Sequence, residues 1–122
     1  MQNSTIRIGT LELAGRIVMP PLGTYMCTDD GKVTDELVGH YAARARNPHV
    51  SMIITEHSYI SIQGQAMPRQ LSLSDDSDIE GLSRLVEAIH EGGAKVMCQL
   101  NHGGTASPAA LTGRKADRKS VV

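Results

Sequence analysis

Apolar positions along the chain fall into short clusters separated by two stretches of helical period. The first cluster, Ile17-Val18-Met19, runs into Pro20-Pro21. The second is Ser51-Met52-Ile53-Ile54-Thr55-Glu56, and the third is Ala94-Lys95-Val96-Met97-Cys98-Gln99-Leu100. The first two alternate little with polar residues, which is the pattern of strands covered on both faces in a parallel sheet. Ahead of them, residues 6–13 alternate around Gly9, which predicts a hairpin turning at Gly9-Thr10.

Two helices are predicted between the clusters. The first follows Thr34 as N-cap, with Asp35 and Glu36 where negative charge suits the helix dipole. Leu37, Val38, Tyr41, Ala42 and Ala45 make its apolar face, and Pro48 stops it. The second opens near residues 74–77, where Ser77 and Glu80 have capping-box spacing. Ile79, Leu82, Leu85, Val86 and Ile89 form its stripe, and Gly92-Gly93 supplies the C-terminal cap. The order is hairpin, strand, helix, strand, helix, strand. That is an α/β chain of successive βαβ units, open as a doubly wound sheet or closed as a barrel. No GxGxxG follows the first strand, which counts against a dinucleotide-binding Rossmann unit.

Composition narrows the function. The 122 residues carry a formal net charge of −1, without the basic excess of a nucleic-acid binder. No apolar run reaches the roughly 18 residues of a membrane span, and residues 1–5 lack signal-peptide character. Cys27 and Cys98 form no CxxC pair, so a reducing cytoplasm is the expected compartment. There is no Trp or Phe, and the core must be built largely from aliphatic side chains. From residue 112 onward four basic residues stand against one acidic residue, which reads as an exposed loop or an unfolded end.

Functional groups of parallel α/β folds collect at the C-terminal ends of the strands. The first end offers Pro21, Leu22, Gly23, Thr24 and Tyr25. The second offers Glu56, His57 and Ser58, and the third Gln99, Asn101, His102, Gly103 and Gly104. A Gln amide presents a donor and an acceptor together, which suits a ring edge carrying adjacent N–H and C=O groups; the alternative for Gln99 is a buried core amide. Tyr25 reads as a site residue or a packing aromatic, and His102 as a site residue or a loop holder. Glu56 reads as a buried structural carboxylate, and His40 and His90 as helix residues. The histidines lack HxxxH spacing, and no metal site is expected.

These strand ends carry a family resemblance. The stretches Gly15-Arg16-Ile17-Val18-Met19-Pro20-Pro21-Leu22, His40-Tyr41-Ala42-Ala43-Arg44-Ala45, Met52-Ile53-Ile54-Thr55-Glu56 and Gly93-Ala94-Lys95-Val96-Met97-Cys98-Gln99-Leu100-Asn101-His102-Gly103-Gly104 occur in order. The chain resembles the N-terminal part of the old yellow enzyme family of FMN-dependent oxidoreductases, in its 2,4-dienoyl-CoA reductase-like branch. The resemblance covers roughly residues 5–108.

It implies the first three or so βα units of a TIM (β/α)₈ barrel, entered through an N-terminal β-hairpin. The expected division is a hairpin at 1–14, a partial FMN-binding barrel at 15–108 and a loop or disordered basic end at 109–122. Pro21, Leu22 and Gly23 would give backbone groups to the isoalloxazine, His57 a backbone amide, and Gln99 the contact to the pyrimidine edge. Tyr25 would line the substrate pocket.

The implied activity is NAD(P)H-linked reduction of activated alkenes or enoyl thioesters, with FMN as cofactor and a small molecule as substrate. Gly23 stands where many members carry Cys or Thr, His57 where a smaller residue is usual, and Thr105 where many have Arg. A full barrel needs about 250 residues, so the family's proton donor, substrate anchor and phosphate loops fall outside this chain, and no catalytic residue is assigned. The rival expectation is a non-catalytic fragment that folds by self-association or with the missing part of the barrel. An unrelated α/β binding domain is a third option, against which the Pro-Pro-Leu-Gly and Gln-Leu-Asn-His-Gly-Gly loops count.

Overall fold

The computed structural model describes residues 4–113. Strands β1 (Ile6–Ile8) and β2 (Leu11–Leu13) form an antiparallel hairpin, with Ile6 opposite Leu13. Gly9 takes φ +60° at the turn, a left-handed conformation that costs glycine little. Strand β3 (Ile17–Met19) then enters a second, three-stranded sheet of order β3-β4-β5, with β4 at Val50–Tyr59 and β5 at Lys95–Asn101. All its pairings are parallel.

Helix α1 (Asp35–Ala45) connects β3 to β4. Thr34 caps it as expected, accepting the Leu37 N–H at 3.1 Å. Helix α2 (Ile79–Glu91) connects β4 to β5. Its start differs from the Ser77–Glu80 expectation. A 3₁₀ turn at Asp76–Asp78 precedes it, and Asp75 and Asp78 make the reciprocal cap one turn earlier. Asp78 wins because its carboxylate is also held inside the fold, where Ser72 donates to it at 2.7 Å and Lys32 reaches it from the opposite loop. At the far end Gly93 adopts φ +99° and donates to the His90 carbonyl at 2.9 Å, so the glycine cap forms where the sequence places it.

The core lies between the helices and one face of the sheet. Leu37, Tyr41 and Ala45 of α1 meet Leu85 and Ile89 of α2 over Ile53 of β4. Each such aliphatic side chain contributes about 1.5–3 kcal/mol on burial. Ile79, placed on the α2 stripe by period, opens the helix and is 59% exposed. The two helices touch at their C-terminal ends: a Cβ on Gly92 would lie 2.7 Å from the Ala45 carbonyl carbon.

Strand β4 is covered on both faces, as its pattern predicts. Strand β5 is not: Met97 is 52% and Leu100 65% exposed. It is an edge strand among the described residues, so the apolar surface on its outer side has no neighbour. Val96 and Cys98 point toward α2, where they line an apolar cavity of about 210 Å³ with Leu82, Leu85 and Val86. Strand geometry therefore turns Lys95, Met97 and Gln99 to the opposite, helix-free face. A helical turn at Ala109–Thr112 stands where a loop is expected; the basic end of the chain lies, from residue 114, outside the described residues. No helix among the described residues is long and apolar enough to cross a membrane.

Candidate functional site

The site is organised by a bulge in β4. Thr55 pairs with Cys98 and His57 with Gln99, which leaves Glu56 without a ladder partner. Bulges re-aim side chains and release backbone groups from pairing. Here the freed Glu56 N–H donates to the Tyr41 hydroxyl at 2.8 Å. That contact ties helix α1 to the strand at the point where the strand turns irregular.

The Glu56 carboxylate is fully buried, as a structural carboxylate should be. Thr24 satisfies it twice. Its backbone N–H donates to Oε2 at 2.8 Å, and its hydroxyl lies 3.0 and 3.1 Å from the two oxygens. Glu56 therefore pins the loop after β3, the loop that carries Pro21, Leu22 and Gly23. Burial pushes the Glu56 carboxyl above its ordinary range, and the Thr24 hydrogen bonds pull it partly back. Burial, and then the Glu56 charge, push the nearby Cys27 thiol up to about 12. Tyr41 is raised too, chiefly by burial.

His57 and Gln99 are register partners and share the helix-free face of the sheet. The Gln99 amide is exposed and makes no side-chain hydrogen bond to a described residue. Among the described residues nothing buries or satisfies it. His57 is half-buried, with Nε2 3.1 Å from the Met67 sulfur. Gly23, after β3, closes the group, since a Cβ there would stand 2.9 Å from the same sulfur and 3.4 Å from His57 Nε2. The end of β3, the middle strand and Met67 thus converge on one small surface, with Gln99 beside it. Leu22, next to Gly23, is 69% exposed. Tyr25 lies two residues beyond Gly23, 53% exposed and with φ +59°, a strained conformation for a residue with a side chain.

Two participants have no sequence signal. Gln70 is fully buried, and its Oε1 accepts the Ala66 N–H at 2.8 Å and the Met67 N–H at 3.3 Å. Its Nε2 donates to the His57 carbonyl and to Asn101 Oδ1, each at 3.1 Å. Gln70 and Met67 lie in the connection between β4 and α2, where neither period nor spacing marks an amide or a thioether as special. His102 holds a loop. Its Nδ1 accepts the Gly104 N–H at 3.1 Å, and its ring leaves no room for a Cβ on Gly64. His40 sits edge-on to Tyr41, its pKa lowered by burial and then by Arg44. No metal-holding cluster of His, Cys, Asp or Glu occurs among the described residues.

A parallel α/β sheet with polar groups at its C-terminal strand ends defines a class of proteins that bind their ligands there. Comparison with known proteins makes the class specific. Residues 4–120 match the model of the NADH:flavin oxidoreductase / NADH oxidase family. The chain belongs to that family, whose members use FMN with NAD(P)H as reductant.

An NADH oxidase of Thermoanaerobacter brockii is 40% identical over 107 residues, covering 87% of this chain and 16% of that protein. An NADPH dehydrogenase of Bacillus subtilis is 38% identical over 100 residues, covering 81% of this chain and 29% of that protein. The old yellow enzyme homologue of Zymomonas mobilis superposes with a TM-score of 0.86 at 29% identity, covering 93% of this chain and 31% of that one. The chain thus spans about a sixth of the NADH oxidase and under a third of the other two.

Proposed function

We propose that this chain forms about the first three βα units, three strands with two connecting helices, and the entry hairpin of an FMN-binding (β/α)₈ barrel. The division would be 1–14 for the hairpin and 15–108 for the partial barrel. The whole assembly would be an NAD(P)H-linked reductase of activated alkenes or enoyl thioesters. Bound FMN would supply hydride transfer between the nicotinamide and the substrate.

The observation that carries this reading is the pairing of His57 with Gln99 on the helix-free face, beside Gly23, where Met67 and the His57 ring pack close to the backbone. The donor set suits a flavin ring. The exposed Gln99 amide offers a donor and an acceptor to the pyrimidine edge, and the backbone of Pro21, Leu22 and Gly23 would offer its own polar groups to the ring. The His57 backbone would add a further donor. Donors at this edge favour the negative charge of a reduced ring. Tyr25, exposed on the same loop, would face substrate. Glu56 and Thr24 hold the loop in place and touch nothing that reacts.

Titration of FMN into the chain, followed by flavin fluorescence, tests the ring contacts. Weak, saturable quenching that Gln99→Leu reduces is expected. Quenching indifferent to Gln99→Leu, or tight stoichiometric quenching by a chain that carries no phosphate loops, would overturn the assignment.

A further inference from the structure

Gln70 sits where three pieces of the site meet. Its amide carbonyl holds the Met67 backbone, and its amide nitrogen holds the ends of β4 and β5 through His57 and Asn101. The same nitrogen is 3.3 Å from Nδ1 of the His57 ring. An amide NH₂ has no lone pair to accept a proton. The two hydrogens of Gln70 Nε2 go to the nearer His57 carbonyl and Asn101 Oδ1, so the Nδ1 contact shares one of them. A proton on Nδ1 would face a nitrogen that cannot accept it, whereas a bare Nδ1 can share that hydrogen. With Nδ1 bare, the neutral ring carries its proton on Nε2, the atom 3.1 Å from the Met67 sulfur.

We propose that Gln70 is the positioning residue of this site. Its amide fixes the His57 imidazole in the neutral tautomer with the proton on Nε2, and sets the Met67 thioether against it beside Gly23. Met67 then occupies the space that a side chain at position 23 would take. The surface next to Gln99 gains a fixed N–H/thioether pair supplied from the β4–α2 connection. The part of this inference that concerns FMN rests on the function proposed above; the part that concerns the imidazole does not.

Imidazole nitrogen shifts of the ¹⁵N-histidine-labelled full chain at neutral pH test it, with His57 assigned by loss of its signals in His57→Asn. The wild type should show one dominant neutral tautomer, protonated on Nε2. Gln70→Glu replaces the donor by an acceptor and should move the proton to Nδ1. Met67→Leu should leave it on Nε2, because the amide rather than the sulfur decides. A wild-type Nδ1–H form, or an even mixture of the two, overturns the proposal without any variant. So does a Gln70→Glu chain with native circular dichroism and an unmoved proton.

In a parallel FMN titration, Gln70→Glu should weaken binding roughly three- to tenfold, the loss of about one net hydrogen bond. A wild-type chain that binds no FMN leaves the tautomer result alone to judge Gln70. An unchanged FMN affinity with a moved proton would show that the His57 ring does not act on the flavin site, and would overturn that part.

Discussion

The Tyr41 hydroxyl accepts the backbone N–H of Glu56 at 2.8 Å, and both residues are fully buried. A helix side chain thus stands in for the ladder partner that the β4 bulge removes. Tyr41→Phe keeps the ring in the core and removes the one acceptor that N–H has among the described residues. A buried donor left unmade costs about 1–3 kcal/mol. Denaturant unfolding should show that loss with an unchanged m-value.

Glu56 makes stability depend on pH. Its folded pKa is raised above the ordinary value, by burial against the opposing Thr24 bonds. A raised carboxyl pKa means that the native state binds the proton more tightly than the unfolded chain. The contribution of this group is fully present below the unfolded value of about 4.5 and is lost as pH rises through the folded value. Glu56→Gln should therefore flatten the acid-to-neutral stability profile. Melting curves across that range check it, and a slope unchanged by the substitution would contradict the assignment.

The two cysteines should separate kinetically. Cys27 is buried, with its thiol pushed up to about 12, whereas Cys98 is exposed. The thiolate is the reactive form, so burial and a high pKa act together on Cys27. A thiol reagent at neutral pH should modify Cys98 quickly and Cys27 only at the rate of unfolding. Two equally fast reactions in native buffer would refute this.

Gly92 is required by the contact between the helices. A methyl group there would stand 2.5 Å from the Ala45 Cβ and 2.7 Å from its carbonyl carbon, and a backbone cannot step aside as a side chain can. Gly92→Ala should cost about 1–3 kcal/mol, the usual range for overpacking. Gly23→Ala meets only the flexible end of Met67 and the His57 ring edge, so it should cost far less in the same thermal melts.

Met97 and Leu100 are half or more exposed on the edge strand β5, beside unpaired backbone groups. Exposed apolar edges recruit further strands. The isolated chain should self-associate at low micromolar concentration, and Leu100→Lys should shift it toward monomer in sedimentation velocity. A compact wild-type monomer with a cooperative melt would refute this.

Much of the fold is local and therefore readable along the chain. Thr34 as a cap, the α1 face of Leu37, Tyr41 and Ala45, the Gly92-Gly93 stop and the parallel strands each follow from period and short-range chemistry. The strand ends also place Gly23, His57 and Gln99 at one edge of a sheet, because strand alternation and βα order fix that edge before any contact is made.

What the sequence could not specify rests on contacts between distant segments. The bulge at Glu56 is held by groups its ladder does not supply: Tyr41 accepts its backbone N–H, the Ser58 hydroxyl donates to its carbonyl, and Thr24 holds its side-chain carboxylate. The cap ahead of α2 falls on Asp75, at a 3₁₀ turn, because Ser72 and Lys32 hold Asp78 inside the fold. Gln70 and Met67 enter the site only when the connection after β4 folds back over the strand ends, with Tyr59 bonded to Leu71. A linear pattern records which side chains are apolar and how often they recur. It does not record which buried donor meets which acceptor, and in this protein those meetings shape the site.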